Sequence, residues 1–350
     1  MNKILLYEPG DRGHRPVILN YVIESLRQSG IDYDVVTDPL LNISALHKIA
    51  RERKCSGLHY LTVDGVIKDW LWDWVPFRER VPALGTYYLF SNAYRPVKSI
   101  ALRVACLAAG LRALLISDDE ILVRRKSPCG AVLSYLPDPW MRKEFPFLTK
   151  HEARRRLKLD DRSCLYLMIG ELSSRKGCDL FIEALGRLSP GRDIQGILAG
   201  RIDNQLSLSH KAICDQLFRE GLLKIFPGFV AEEDMSVFFH AADYIVCPYP
   251  AIFQVSSNTA TRAMAAGRPY LTFNHGSIAA TARRHGCGIV IESPPSAAML
   301  SVKMEELSGL KDSAEYLKIG AAGSAYAIQR EFCAYSAALI GAYKKHGLIK

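Results

Sequence analysis

The chain lacks any long uninterrupted apolar run. The longest candidate, Val97 to Ile116, is broken by Lys98, Arg103 and Arg112, and each cation costs about 3 kcal/mol at a bilayer centre. A membrane-spanning helix is excluded there. The first residues, MNKILLYEPGDRGH, offer one Lys and four apolar side chains before Glu8, too little for a signal-peptide core, so a cytoplasmic protein is expected. There is no C-x-x-C pair. The nine cysteines are odd in number and scattered, which argues against a disulfide framework or a zinc site and for a reducing compartment. No basic tail exists either. The net charge of +9 is spread, with 18 basic against 15 acidic residues over 1–140 and 27 against 21 over 141–350. Such an excess suits phosphate-bearing ligands, an anionic membrane surface or nucleic acid, and does not choose among them. What is present describes an ordinary folded protein: 49% hydrophobic, 23% charged, 25 Gly and 17 Pro among 350 residues. That length suggests two cores.

Residues 3–7 (KILLY) read as a strand, EPGDRGH as a Gly-bearing turn, VILNYVIESLRQSG as a helix and 31–36 (IDYDVV) as a second strand. This is a βαβ unit. Further short apolar runs at GLHYLTV, PALGTYYLF and ALLIS alternate with helical stretches, the pattern of a parallel sheet. A proline-bearing, charged stretch over 136–160 reads as a linker. After it the plan repeats: strand 164–170, helix, strand 194–200, and so on to PYLTFN. The reading is two Rossmann-like, doubly wound α/β domains facing a cleft, over 1–137 and 138–330, with a C-terminal helix over 331–350 that crosses back to the first domain. A single helical stretch is expected over about 312–345.

The sharpest local feature is MIGELSSRKGCDLFIEAL, a strand ending at Gly170 with Arg175, Lys176 and Gly177 where a helix begins. Free N–H groups and the helix dipole favour an anion there, and two cations strengthen the site. The plainer reading is a solvated turn. The segment resembles the G-R-L-x-x-x-K-G stretch of nucleotide-sugar glycosyltransferases of the GT-B fold, family 4. ILAGR, IFPGFVAEEDMSVFFHAADYIVCPY, RAMAAGRPYLTFNHGS and HGCGIVIE follow in that family's order. The resemblance covers about 137–292 well and the first 136 residues in outline only.

The resemblance implies transfer of a sugar from a nucleoside-diphosphate sugar to a hydroxyl acceptor, with retention of configuration, in cell-surface polysaccharide or glycoconjugate synthesis. It implies no cofactor and no bound metal. Lys176 would neutralise the donor diphosphate, with Arg175 sharing that role, although the family's arginine falls at Glu171. Gly228 and Phe229 match the loop that receives the base, where a Gly-Phe turn also serves simple packing. The family's two glutamates are replaced by Gln254 and Arg262. Gln254 can hydrogen-bond a sugar but supplies no negative charge; Arg262 can reach a phosphate or can be a surface helix arginine. Between them Ser256, Ser257, Asn258 and Thr259 replace the family's Gly-Phe-Gly stretch, either capping a helix or forming a different donor pocket. On the first domain Gly10, Gly13 and His14 sit in the Gly-rich loop after the first strand. Gly10 and Gly13 permit close backbone approach to a ligand, and His14 is a candidate for proton transfer or a solvated loop residue. Tyr87 or Tyr88 stands where the family shows a histidine.

The expected partners are a nucleotide-sugar donor and a lipid-linked or saccharide acceptor; nucleic acid is not expected, because no recognised module appears. KDWLWDWVPFRER and VKSIALRVACLAAGLRALL read either as core and edge packing or as peripheral contact with an anionic membrane at its inner face. Loss of both glutamates is also compatible with a catalytically inactive binding or scaffold protein on the same fold.

Overall fold

The computed structural model describes residues 2–10, 15–65, 73–88, 96–117, 127, 130–189 and 193–350. The chain divides into two compact units, Met1–Pro139 with Phe332–Lys350, and Trp140–Glu331.

Unit 1 holds a six-stranded, wholly parallel sheet of β1 (Lys3–Tyr7), β2 (Asp32–Val36), β3 (Gly57–Tyr60), β4 (Ala83–Thr86), β5 (Leu111–Ile116) and β6 (Val132–Tyr135). Their spatial order is β2-β1-β3-β4-β5-β6. Side chains alternate across a strand, so Leu5 and Tyr7 face a core that also takes Leu58 and Tyr60, the helix Ile43–Glu52 and the helix Pro96–Ala108. Helix Arg15–Gln28 packs instead on helix Phe332–Lys345, through Tyr21 against Phe332 and Tyr335 at 6.1 and 6.4 Å between ring centres. A neutral polar chain ties this last helix to the sheet: Tyr343 Oη lies 2.7 Å from His59 Nδ1, whose Nε2 lies 2.9 Å from Thr86 Oγ1.

Unit 2 holds β7 (Cys164–Leu172), β8 (Ile194–Ile202), β9 (Leu223–Pro227), β10 (Tyr244–Cys247), β11 (Tyr270–Phe273) and β12 (Gly288–Ile291), again all parallel. The order is β12-β11-β10-β7-β8-β9. Both faces are buried, as parallel sheets require. Tyr166, Leu198, Tyr244 and Leu271 serve one core, and Leu165, Ile197, Ile245 and Tyr270 the other.

Two expectations change. Much of the charged stretch read as linker is folded: Thr149 and Glu152 form a capping box on helix Lys150–Leu157, and Arg154 is buried against Asp243 at 2.6 Å. The segment KHEARRRL shows no apolar stripe at helical spacing, because the residues its helix buries are only Ala153 and Arg154. The terminal helical stretch is two helices, Ala314–Ile328 in unit 2 and Phe332–Lys345 in unit 1. They part at Gln329–Glu331, where Glu331 forms a parallel bridge with Trp140 and Trp140 Nε1 donates to Ala327 O at 2.8 Å. The two ends of unit 2 therefore meet.

Candidate functional site

Neighbouring strands in unit 2 change direction of winding between β7 and β10, the place where open α/β sheets bind ligands at their carboxyl ends. After β7 the chain makes a tight turn over Ser174–Lys176, and Gly177 (φ 75°) opens helix Cys178–Leu185. A Cβ on Gly177 would stand 1.9 Å from Pro248 O, so glycine lets the loop after β10 close onto this helix start. That loop brings up two rings. Lys176 Nζ lies 4.9 Å from the Tyr249 ring centre and 5.4 Å from that of Phe253, and the rings lie 4.2 Å apart.

Lys176 is half-buried, and among the described residues its ammonium has cation–π contacts but no hydrogen-bond acceptor or carboxylate partner. Burial, then the neighbouring Arg175 charge, pushes its pKa below the ordinary lysine value, with Cys247 and Glu171 opposing. An arriving anion supplies the missing counter-charge and reverses that shift. Arg175 is committed elsewhere: its Nη2 donates to Glu171 at 2.9 Å, both side chains exposed. The acid that stands in the family's arginine position is thereby neutralised. Ser173, one residue before the turn, has a buried hydroxyl with no hydrogen-bond partner among the described residues.

The Ser257–Thr259 segment begins helix Asn258–Ala265, with Ser257 in the capping position but no side-chain cap bond. Its hydroxyl instead pairs with Tyr249 Oη at 2.7 Å, and Thr259 also bonds that phenol. These hydroxyls position the ring beneath Lys176 rather than cap the helix. The first-turn N–H groups keep no side-chain acceptor of their own cap residue, an arrangement suited to an anion. Ser256 is half-buried beside them. Gln254 is exposed, its amide donating to Ala251 O at 2.6 Å. The Gln254 backbone carbonyl accepts from Ser277 N at 3.1 Å, and a Cβ on Gly276 (φ 68°) would stand 2.9 Å from Phe253 O. Arg262 is only 4% exposed; the surface-arginine reading is overturned, since the helix turns this position into the protein.

The carboxyl ends of β7, β8 and β9 add a row of left-handed glycines, Gly170 (φ 109°), Gly200 (φ 141°) and Gly228 (φ 104°). Gly200 went unremarked in the sequence, yet a Cβ there would stand 1.8 Å from Gly170 O. Gly228 N donates to Gly200 O at 3.1 Å, and Phe229 follows at 82% exposure, an open ring rather than a packed one.

In unit 1 the first loop begins with Glu8, a buried carboxylate that sequence reasoning passed over. It accepts from Gly10 N at 2.9 Å and from the Thr62 hydroxyl, with Arg15 at 3.6 Å. The signal was an acid directly after an apolar strand. Gly13 and His14 lie outside the described residues. Tyr87 is buried, and Tyr88 N donates to Asp64 Oδ2 at 2.8 Å. No group of three or more His, Cys, Asp or Glu among the described residues could hold a metal ion, and no helix there is long and apolar enough to cross a membrane.

The family model described as glycosyl transferases group 1 matches residues 149–323, the span that carries this arrangement. No curated protein sequence matches the chain. Among solved structures, sucrose-phosphate synthase from Thermosynechococcus elongatus aligns with TM-score 0.75 and 17% identity over 99% of both chains. HepE from Anabaena, solved with UDP, aligns with TM-score 0.75 and 16% identity over 99% of this chain and 100% of that one. WaaG, a glycosyltransferase involved in lipopolysaccharide biosynthesis, aligns with TM-score 0.62 and 16% identity over 98% and 99%. At such identities the likeness is one of fold, and that fold is GT-B.

Proposed function

The chain belongs to the group 1 glycosyl transferases and transfers sugar, and from that premise we propose that its donor is a nucleoside-diphosphate sugar held by unit 2. The observation that carries this reading is Lys176, a cation held over Tyr249 and Phe253 with no ion-pair partner among the described residues. As the sugar leaves, negative charge builds on the leaving diphosphate, and a fixed cation in a partly desolvated place is most effective there. The openings of helices Cys178–Leu185 and Asn258–Ala265 add N–H groups from two directions. The charge of the leaving group is met by these groups rather than by a metal ion. HepE, of the same fold, was solved with UDP, which supports a nucleotide donor.

Gln254 and the hydroxyls of Ser256, Ser257 and Thr259, with Asn258, form the sugar side of the pocket in place of the missing glutamates, and Phe229 receives the base. Arg262 acts from within the protein on the phosphate side. Transfer proceeds with retention to a hydroxyl of a lipid-linked or saccharide acceptor, on the cytoplasmic side, in making cell-surface polysaccharide or glycoconjugate. Gly10, Gly13 and His14 serve the acceptor side.

The test is a thermal-shift panel of UDP, GDP, ADP, CMP and their sugars, followed by a transfer assay with whichever ligand stabilises. A ligand present at a hundred times its Kd adds about 2.7 kcal/mol, so at least one member should raise the melting temperature, and Lys176→Ala should abolish that rise. A panel without any response removes the nucleotide-sugar reading.

A further inference from the structure

The floor under Lys176 is a loop gripped at both ends. The chain after β10 supplies the Tyr249 and Phe253 rings, 4.2 Å apart, on which the ammonium rests. Gly177 leaves room for Pro248 O at one end of this loop, and Gly276 leaves room for Phe253 O at the other. Ser257 and Thr259 hold the Tyr249 phenol. None of these contacts fixes the backbone between the two rings, and that span is met by His275.

His275 stands at the start of helix Gly276–His285 with extended backbone (φ −158°, ψ 161°), in the capping position but without a side-chain cap bond. Its N–H donates to Phe273 O at 2.8 Å, which fixes the turn out of β11. The half-buried ring reaches across to the loop after β10 and hydrogen-bonds the carbonyls of Tyr249 and Pro250. Pro250 O also accepts from Phe253 N at 2.8 Å. One imidazole therefore braces the turn that sets the spacing of the two rings. Two residues on, Ser277 N donates to Gln254 O, so the segment His275–Ser277 follows the loop along its length.

A lysine stem is flexible, and a cation that must be immobilised as its anion arrives binds more weakly than one already confined. The ring floor confines it beforehand. We propose that His275 is a positioning residue for Lys176, holding the Tyr249–Phe253 loop so that the two rings keep the ammonium in place for an incoming diphosphate. The proposal rests on the reading of Lys176 as the cation of that diphosphate.

The test is titration calorimetry of the full chain with inorganic pyrophosphate, a diphosphate without base or sugar. His275→Ala should weaken binding about tenfold. His275→Asn and His275→Gln keep an amide N–H for the carbonyls, and at least one of them should restore the affinity. Phe253→Leu, which removes one ring and leaves Lys176 and His275 in place, should weaken binding to a similar extent, and the double variant should bind no worse than either single one. A purely structural His275 would lower the thermal melt and leave the affinity of the folded chain unchanged, which overturns the proposal. So do full additivity with Phe253→Leu and failure of both amides to rescue. Failure of the underlying reading looks different: Lys176→Ala would then bind pyrophosphate as the wild type does. Absence of pyrophosphate binding by the wild-type chain overturns both.

Discussion

Units 1 and 2 are both six-stranded parallel sheets, but the polar groups that anchor their packed helices differ. Unit 2 buries charge: Asp243, fully buried, accepts from Arg154 at 2.6 Å, from Lys150 at 2.8 Å and from Leu165 N at 2.8 Å. Unit 1 keeps its buried carboxylate, Glu8, at the end of β1 and ties its last helix to the sheet through a neutral chain, Thr86–His59–Tyr343. The two solutions respond differently to mutation and to acid. Unit 2, which is contiguous in sequence, also carries Lys176 over the Tyr249 and Phe253 rings.

The largest effect should come from Asp243→Asn. It leaves the buried Arg154 guanidinium without its anion, and breaking such a pair costs about 3–5 kcal/mol. Chemical denaturation followed by hydrogen exchange should place the loss in unit 2; an even loss over both units would break the contrast. Next is Lys176→Ala, which removes stabilisation of the leaving diphosphate and should lower kcat by about 10²–10³, or about 3–4 kcal/mol, without changing the exchange pattern of either unit.

A third contrast is with acid. Burial pushes the His59 pKa down to about 3 and that of His47 to about 4, so the folded unit 1 keeps both rings neutral. An unfolded chain takes up protons below its ordinary histidine value near 6.5. Stability from these rings is therefore complete above pH 6.5 and declines as pH falls from there toward 4, by about 1.4 kcal/mol per pH unit for each ring. Urea midpoints between pH 7 and pH 5 should fall first for unit 1, and a pH-independent midpoint there would contradict the neutral-chain account. The smallest effect is that of Tyr343→Phe, which leaves His59 Nδ1 unpaired at about 1–3 kcal/mol. Hydrogen exchange in β3 and helix Phe332–Lys345 should rise, with unit 2 unaffected.

Much of this architecture is legible in the order of residues alone. Alternating short apolar runs and helical stretches lead to parallel sheets because strands buried on both faces need continuous apolar residues, as Tyr166 and Leu167 show by serving opposite cores. β6 is harder to see, since Val132 to Tyr135 is only four residues long and lies at a sheet edge with no fully buried residue. Lys176 and Gly177 are legible from their place between strand and helix. The Ser257 hydroxyl is not, because capping is a local property whereas its bond to Tyr249 depends on the fold of the loop after β10. Gly200 and Gly276 share that limit: each is required by a carbonyl from a segment distant in sequence. Arg262 illustrates it from the other side, a charged residue whose burial comes from the neighbours of its helix.

The final helix, Phe332–Lys345, completes the first unit rather than the second. Synthesis runs from residue 1 onward, so every residue of unit 2 has been made before Tyr335 or Tyr343 exists to pack on Tyr21 and His59. Domains that are contiguous commonly fold as they emerge, the first one first. Here that order is inverted in what the ribosome can supply: all of unit 2 is available before unit 1 has its last helix, Phe332–Lys345.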